Sequence, residues 1–317
     1  MVFGVRRRAA AGVVALVAAV TLTALTLTGL AGCASSLQAG PGTDQVVAPS
    51  PSPTPVTELG IARVSPRPET YGVGIVVRIF FDHDVPKAAR STVTSLIDVS
   101  ASKPIGEAGW AWSDARTAVY RPKEFWPAHT TVTITATPTG QVLGTTATGR
   151  ELHWAGKASG EFRIGAAQLI TIDAETDQAT VTRDGKTVRT IPVSLGMDGW
   201  QTRSGIKVLM EKYRTKRMTS ESIGAEEDYT LDVPYAIRLT NSGEFIHAAP
   251  WATGRLGRWN GSHGCTNVSE ADAEWLYRHH LYGDPVITTG TSRDMEPDNG
   301  AGGVWNVSWK TWLSGRV

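Results

Sequence analysis

Cysteine is scarce in this chain: two among 317 residues, Cys33 and Cys265. That excludes a fold stapled by a disulfide framework. A single bridge between them is the default expectation for an exported protein, but it would tether a leader-like segment to a loop rich in reactive groups. We expect the two thiols to stay apart. Excess charge of either sign is missing too, since 31 Lys and Arg stand against 30 Asp and Glu. With no basic surplus to gather on one face, nucleic-acid binding is excluded. The length suits about two domains.

The N-terminus holds a long run that is both uncharged and largely apolar. Arg6-Arg7-Arg8 precede a largely apolar run from Ala9 to Leu30, which ends in Leu30-Ala31-Gly32-Cys33. A basic start, an apolar middle and small residues at the end read as an export signal. The run is also long enough to span a bilayer, so an uncleaved signal anchor is the alternative. Its last four residues resemble the lipobox of bacterial lipoproteins. That resemblance implies removal of residues 1–32 and lipidation of Cys33. The rest would then sit on the outer face of the cytoplasmic membrane, exposed to the cell wall. Residues 33–58 hold Ala48-Pro49-Ser50-Pro51-Ser52-Pro53-Thr54-Pro55, whose alternating prolines favour an extended spacer.

Two β-rich regions are expected beyond it. In residues 59–165, Gly74 to Phe81 is β-branched and aromatic, and Thr130 to Ala136 alternates with period two. This pattern over about a hundred residues fits a small β-sandwich. Trp110, Trp112, Tyr120, Phe125 and Trp126 could pack its core or form a glycan-stacking platform, and we expect packing. Residues 166–290 carry Asp184-Gly185 between alternating runs, a tight-hairpin signal. Further strands are expected at Ile206–Tyr213, Tyr235–Leu239 and Gly243–Ala248. One helix should follow Ser269, over Glu270 to about His280, with Gly283-Asp284-Pro285 beyond its end. His279-His280 point about 100° apart on such a helix and make a poor chelate. They read instead as cations favoured by the helix C-terminus.

The chemistry concentrates in Ser262-His263-Gly264-Cys265-Thr266-Asn267, with His247 eighteen positions before the cysteine. A thiol attacks as thiolate, so it needs a base or cation nearby and an approachable backbone. By spacing alone, either His247 or His263 could be the base, or both could join Cys265 in holding zinc. Ser262 and Asn267 could order the loop, bond a substrate, or simply make a turn.

These residues resemble the signature of the L,D-transpeptidases, the YkuD-type cysteine enzymes that cross-link bacterial peptidoglycan, with Thr266 at the variable position. The resemblance implies a mostly β fold, an immunoglobulin-like sandwich followed by a β-rich catalytic domain with one short helix after the nucleophile. Cys265 would be the nucleophile and His247 the base, held by the backbone carbonyl of Ala248. Gly264 would allow close approach, the Cys265 N–H would help bind the oxyanion, and His263 would be a neighbour of the thiol. Tyr229 and Trp251 match family residues of the substrate pocket. Arg214 to Asp228 would form the lid, with Met218 on it. Here the chain departs from the mycobacterial pattern, because the lid is shorter and Ile223 stands where an aromatic is expected.

The stretch Gly109 to Pro127 also resembles the immunoglobulin-like domain that precedes the catalytic domain in actinobacterial members. Residues 291–317 resemble their Trp-containing tail. Trp305, Trp309 and Trp312 are spaced for one face of a short helix, and the tail should stabilise the domain arrangement. As implied partners the family has peptidoglycan stem peptides, joined in 3→3 cross-links with release of D-Ala, and carbapenems as covalent inhibitors. No cofactor or metal is implied, and a monomer is expected. An L,D-carboxypeptidase with water as acceptor, or a non-catalytic wall-binding lipoprotein, are the alternatives.

Overall fold

Strand formation begins as soon as the prolines stop. The computed structural model describes residues 52–221, 224 and 228–315. The expected signal peptide, Cys33, most of the spacer and Ile223 lie outside them. Val56–Leu59 is already a strand, pairing in parallel with Glu151–Trp154. The fold therefore starts three residues inside the stretch expected to be spacer. Pro55 is the last residue that cannot donate to a ladder, and Val56-Thr57 favour a pleated surface.

The first region is built from three antiparallel-rich sheets. One joins Ile61–Ser65, Val77–Phe81, Thr117–Pro122 and Ala108–Trp112; another joins Thr70–Tyr71, Ala158–Ile164, Thr131–Ala136 and Ile97–Ala101. Alternation sends Val132, Ile134 and Ala136 inward. The core they enter is aromatic. Trp112 stacks on Phe81 at 5.5 Å, Trp126 meets Phe162 edge-on at 6.1 Å, and Trp154 is 1% exposed. Trp126 Nε1 donates to the Ile75 carbonyl at 2.6 Å, and Trp110 leans on Tyr120. These rings pack the sandwich and present no stacking platform.

The second region has two sheets. A five-stranded one runs in the order Lys186–Pro192, Gln178–Arg183, Gln168–Asp173, Pro285–Thr289, Gly205–Val208. Asp184 and Gly185 close its second hairpin, both with positive φ, as a type I′ turn requires. The other sheet orders Glu211–Thr219, Thr230–Arg238, Phe245–Ala248 and Thr266–Val268. Leu209 and Met210 break the strand expected over Ile206–Tyr213, so Gly205–Val208 and Glu211–Thr219 serve different sheets. Between them lies an aliphatic core that includes Ile170, Ile172, Val181, Ile191, Ile237 and Val268. The helix Glu270–His279 closes it with Ala273 and Leu276, capped by Ser269, whose Oγ accepts from the Asp272 N–H.

At the other end of that helix the sequence expectation fails. His280 is 2% exposed, and burial pushes its pKa down to about 3, so it is neutral. The cation at this helix terminus is Lys212, whose ammonium donates to the carbonyls of Tyr277 and His280. His279 stacks on Trp275 at 4.7 Å.

The three tail tryptophans are not on one helix. Gly303–Asn306 is a 3₁₀ turn carrying Trp305, and Ser308 caps a separate helix, Trp309–Leu313. All three rings nevertheless surround one guanidinium, that of Arg121, at 4.7, 5.2 and 4.5 Å. Trp305 and Trp312 donate their indole N–H to the carbonyls of Gly74 and Gly109. Val304 and Trp305 pack with Val208 as well, so the tail bridges both β-rich regions. From Pro53 onward the chain is one compact unit.

Candidate active site

Strand pairing assembles the site. Phe245–Ala248 pairs in parallel with Thr266–Val268, with His247 opposite Asn267. Side chains two apart on a strand share a face, so Phe245, His247, Asn267 and the preceding Cys265 turn the same way. All four line one cavity of about 400 Å³. Tyr229, Trp251, Met218, Ser262 and His263 line it too. Gly264 is buried behind the cysteine. Every site residue expected from the sequence is thus brought to one place among the described residues.

His247 is 4% exposed, and its Nδ1 lies 2.9 Å from the Ala248 carbonyl oxygen. That acceptor fixes Nδ1 as the protonated nitrogen and leaves Nε2 as the basic one. Burial lowers the pKa of His247, so the ring is neutral at pH 7 and able to take a proton. Cys265 is the free thiol among the described residues. It is half-buried, and its Sγ–H donates to the Gly243 carbonyl at 3.7 Å. Burial pushes the thiol up to about 12, against the lowering pull of the Phe245 backbone and of Lys207. The resting pair is therefore a neutral thiol and a neutral imidazole, which suits general-base activation better than a standing ion pair.

Gly264 has φ +110°, a backbone conformation that side chains disfavour. A Cβ there would sit 3.6 Å from both Glu244 and the Trp200 carbonyl, which is ordinary contact. Conformation, rather than close approach, is what requires glycine. Ser262 ties the same turn, with its Oγ donating to the Cys265 carbonyl at 2.6 Å and accepting the Gly264 N–H at 3.1 Å. Asn267 is in a strand and not a turn, with its backbone bonded both ways to Ser194. His263 is enclosed by aromatic rings: Tyr229 stacks on it at 5.4 Å and Trp200 meets it edge-on at 5.1 Å. The stretch expected as the lid, Arg214 to Asp228, starts within the hairpin of Glu211–Thr219 with Thr230–Arg238, and Met218 packs against the cluster of Val233, Ala236 and Phe245. Trp251 is 48% exposed at the rim, 6.1 Å from the His247 ring. No three His, Cys, Asp or Glu side chains cluster as a metal centre would need among the described residues.

Sequence reading missed the groups behind the loop. Arg203, Lys207 and Glu244 are all buried and ion-paired there, with Lys207 fully inaccessible. Trp200 was missed as well. Each is distant in the chain from the Cys265 motif and carries no local pattern that would betray it.

Residues 167–288 match the model of the L,D-transpeptidase catalytic domain, and residues 52–142 match that of a bacterial Ig domain. The chain is 32% identical over 253 residues to L,D-transpeptidase 2 of Mycobacterium tuberculosis, covering 78% of this chain and 60% of that protein. It thus spans less than two thirds of that relative's length. It is also 32% identical over 236 residues to L,D-transpeptidase 1 of the same species, covering 73% of this chain and 85% of the relative. The structure of an LD transpeptidase in complex with imipenem superposes with a TM-score of 0.61 at 30% identity, over 73% of this chain and 99% of that one. With a matching catalytic-domain model, an Ig-like domain before it and a relative 32% identical that is covered to 85% of its length, this chain belongs to the L,D-transpeptidase family.

Proposed function

We propose that this protein is a peptidoglycan L,D-transpeptidase working through a thioester on Cys265. His247 Nε2 takes the thiol proton as Sγ attacks the carbonyl between the third residue of a tetrapeptide stem and its terminal D-Ala. The Cys265 N–H helps hold the oxyanion. Collapse breaks the C–N bond, and His247 returns the proton to the departing D-Ala amine. The side-chain amine of another stem then attacks the thioester, leaving a 3→3 cross-link and the free thiol.

The observation that carries this reading is the shared cavity of Cys265 and His247, with the His247 tautomer set by the Ala248 carbonyl. Its lining supports an anionic peptide, because Lys216, Arg217 and Arg238 face it and, among the described residues, no Asp or Glu does. Tyr229, Trp251, Met218 and Asn267 would contact the donor, with Ser262, His263 and Gly264 holding the loop. Imipenem binding in a relative supports acylation by carbapenems here. Attachment through lipidated Cys33 to the outer face of the membrane rests on the lipobox and completes the proposal.

The test is peptide-resolved mass spectrometry of the full chain after exposure to imipenem. One adduct on the Cys265 peptide is expected, lost in Cys265→Ala. A tetrapeptide stem offered with an acceptor stem should give dimer and D-Ala. D-Ala with no dimer would replace transfer by hydrolysis, and an unmodified Cys265 with no turnover would overturn the reading. Cys33→Ala should move the protein out of the membrane fraction.

A further inference from the structure

Strand alternation fails at one point in the hairpin beside the cavity. Leading into and along Thr230–Arg238, the residues Tyr229, Leu231 and Val233 line the cavity, as side chains two apart on a strand should. Continued, that face would include Tyr235 and Ile237. Both pack instead on the aliphatic core with Ile170 and Val268. The opposite face takes over, with Ala236 packed on Phe245 and Arg238 over its ring and lining the cavity. Val233 and Tyr235 are therefore two residues apart and face different cores. The partner strand Glu211–Thr219 reverses at the same level. Lys212 reaches the helix end, whereas Lys216 and Met218, which alternation would place on its face, line the cavity. No residue is inserted on either side, because Tyr213 pairs with Ala236 and Thr215 with Pro234, so a bulge is not the cause.

The reversal coincides with the backbone of Tyr235, whose φ is +52°. His129, Asp177 and Asp184, the other non-glycine residues with positive φ among the described residues, lie outside strands. A bulky side chain disfavours this left-handed conformation, which persists where the surroundings over-determine it. Here the Tyr235 ring is held by Tyr277 at 5.7 Å and by the Arg214 guanidinium, 5.4 Å from its centroid. Pro234 before it has no N–H to give to a regular ladder. We propose that Tyr235 is a positioning residue, whose left-handed backbone turns the half of the hairpin beyond it so that Leu231, Val233 and Met218 face the thiol and its donor peptide.

The alternative arrangement shows what the kink achieves. Regular alternation from Ala236 would bring Pro234, Asp232 and Thr230 to the cavity, and would carry Val233, now 1% exposed, to the exposed side that Asp232 occupies. An acidic side chain would then stand where an anionic donor has to lie. With the kink, Met218 and Cys265 both pack against the apolar cluster of Val233, Ala236 and Phe245. The inference rests on the proposed reading of this cavity as the donor site.

Ring and backbone predict opposite orders among variants of the full chain. Glycine adopts a positive φ freely and has no ring, whereas valine keeps apolar bulk and, being β-branched, resists that φ. Tyr235→Val should slow acylation of Cys265 by imipenem by about 10- to 100-fold, the cost of misplaced contacts, while Tyr235→Gly stays closer to the parent. Iodoacetamide alkylation of the Cys265 peptide, which needs no recognition of a donor, should be faster in Tyr235→Val than in Tyr235→Gly, because its cavity has lost an apolar wall. Tyr235→Gly acylated as slowly as Tyr235→Val, or more slowly, would make the ring the cause and overturn the proposal. Should Tyr235→Val fail to fold, Tyr235→Asn and Tyr235→Leu decide, since asparagine enters the left-handed region more readily. The leucine variant must then be the slower of the two, and equal rates overturn the idea. A parent that imipenem leaves unmodified would count against the functional reading alone. The alkylation order would then decide the role of Tyr235, upheld if valine is faster than glycine and overturned if it is not.

Discussion

The two β-rich regions bury different things. The first fills its core with rings, among them Phe81, Trp112, Trp126, Trp154 and Phe162. Arg121 is the one fully charged side chain buried there among the described residues. The second has an aliphatic core and buries His247, Glu244, Arg203, Lys207, His280 and Asp284. A support can use whatever packs best. The thiol chemistry proposed for the second region needs ionisable groups kept out of water, where each moves the proton affinity of the next. The contrast separates stability from chemistry, and it can be broken at either end.

The largest effect should come from the chemical end. His247→Ala should slow acylation by imipenem by about 10²- to 10⁴-fold with its melting temperature near that of the parent. A large fall in melting temperature would mean that the second region, too, uses its ionisable groups to stay folded. Trp154→Ala should do the reverse, destabilising by about 3–5 kcal/mol through the cavity it leaves, while folded protein acylates at the parent rate. Slower acylation at a temperature where the variant is fully folded would show that the first region takes part in the chemistry. Both outcomes are read from denaturant melts and stopped mass spectra of the same samples.

Removal of residues 303–317 probes the bridge between the regions. It strips Trp305, Trp309 and Trp312 from Arg121 and leaves a buried guanidinium uncovered, so the melting temperature should drop by several degrees. An unchanged melt would deny the tail its structural role. The gentlest effect per step is in the pH response. His280 is depressed to about 3, so the unfolded chain takes up its proton first, and stability is lost as pH falls from 6.5 toward 3. Asp284, raised to about 6 by burial, acts oppositely, and its contribution is lost as pH rises toward and through 6. His280→Leu should remove a slope of about 1.4 kcal/mol per pH unit and leave stability flat or rising between pH 6 and 4. A slope identical to the parent would mean that His280 is not the neutral, buried group described.

What could be read from sequence followed how local each interaction is. The Ala248 carbonyl beside His247 was expected only through the family resemblance, whereas the Cys265 turn is contiguous and was legible. The Asp184-Gly185 hairpin and the Ser269 cap were legible for the same reason. Lys207 was not. It sits in Gly-Ile-Lys-Val, which reads as a half-exposed strand, and only the pairing of Gly205–Val208 with Pro285–Thr289 carries it inside. His280 was misread because a helix terminus favours a cation in the absence of tertiary burial. The tail tryptophans kept their destination but not their helix, because Ser308 starts a new one.

The environment of Arg121 has a consequence for how the protein comes into being. Its guanidinium bonds the Val307 carbonyl at 3.0 Å, 186 positions further along the chain. A ribosome delivers residues in order, so the first region reaches its final state only after Val307 has emerged. Until then a sandwich that looks self-sufficient holds a cation with no aromatic cover. Its completion is therefore a late event that depends on everything made after it, and a truncated product should be marked for destruction by its first half.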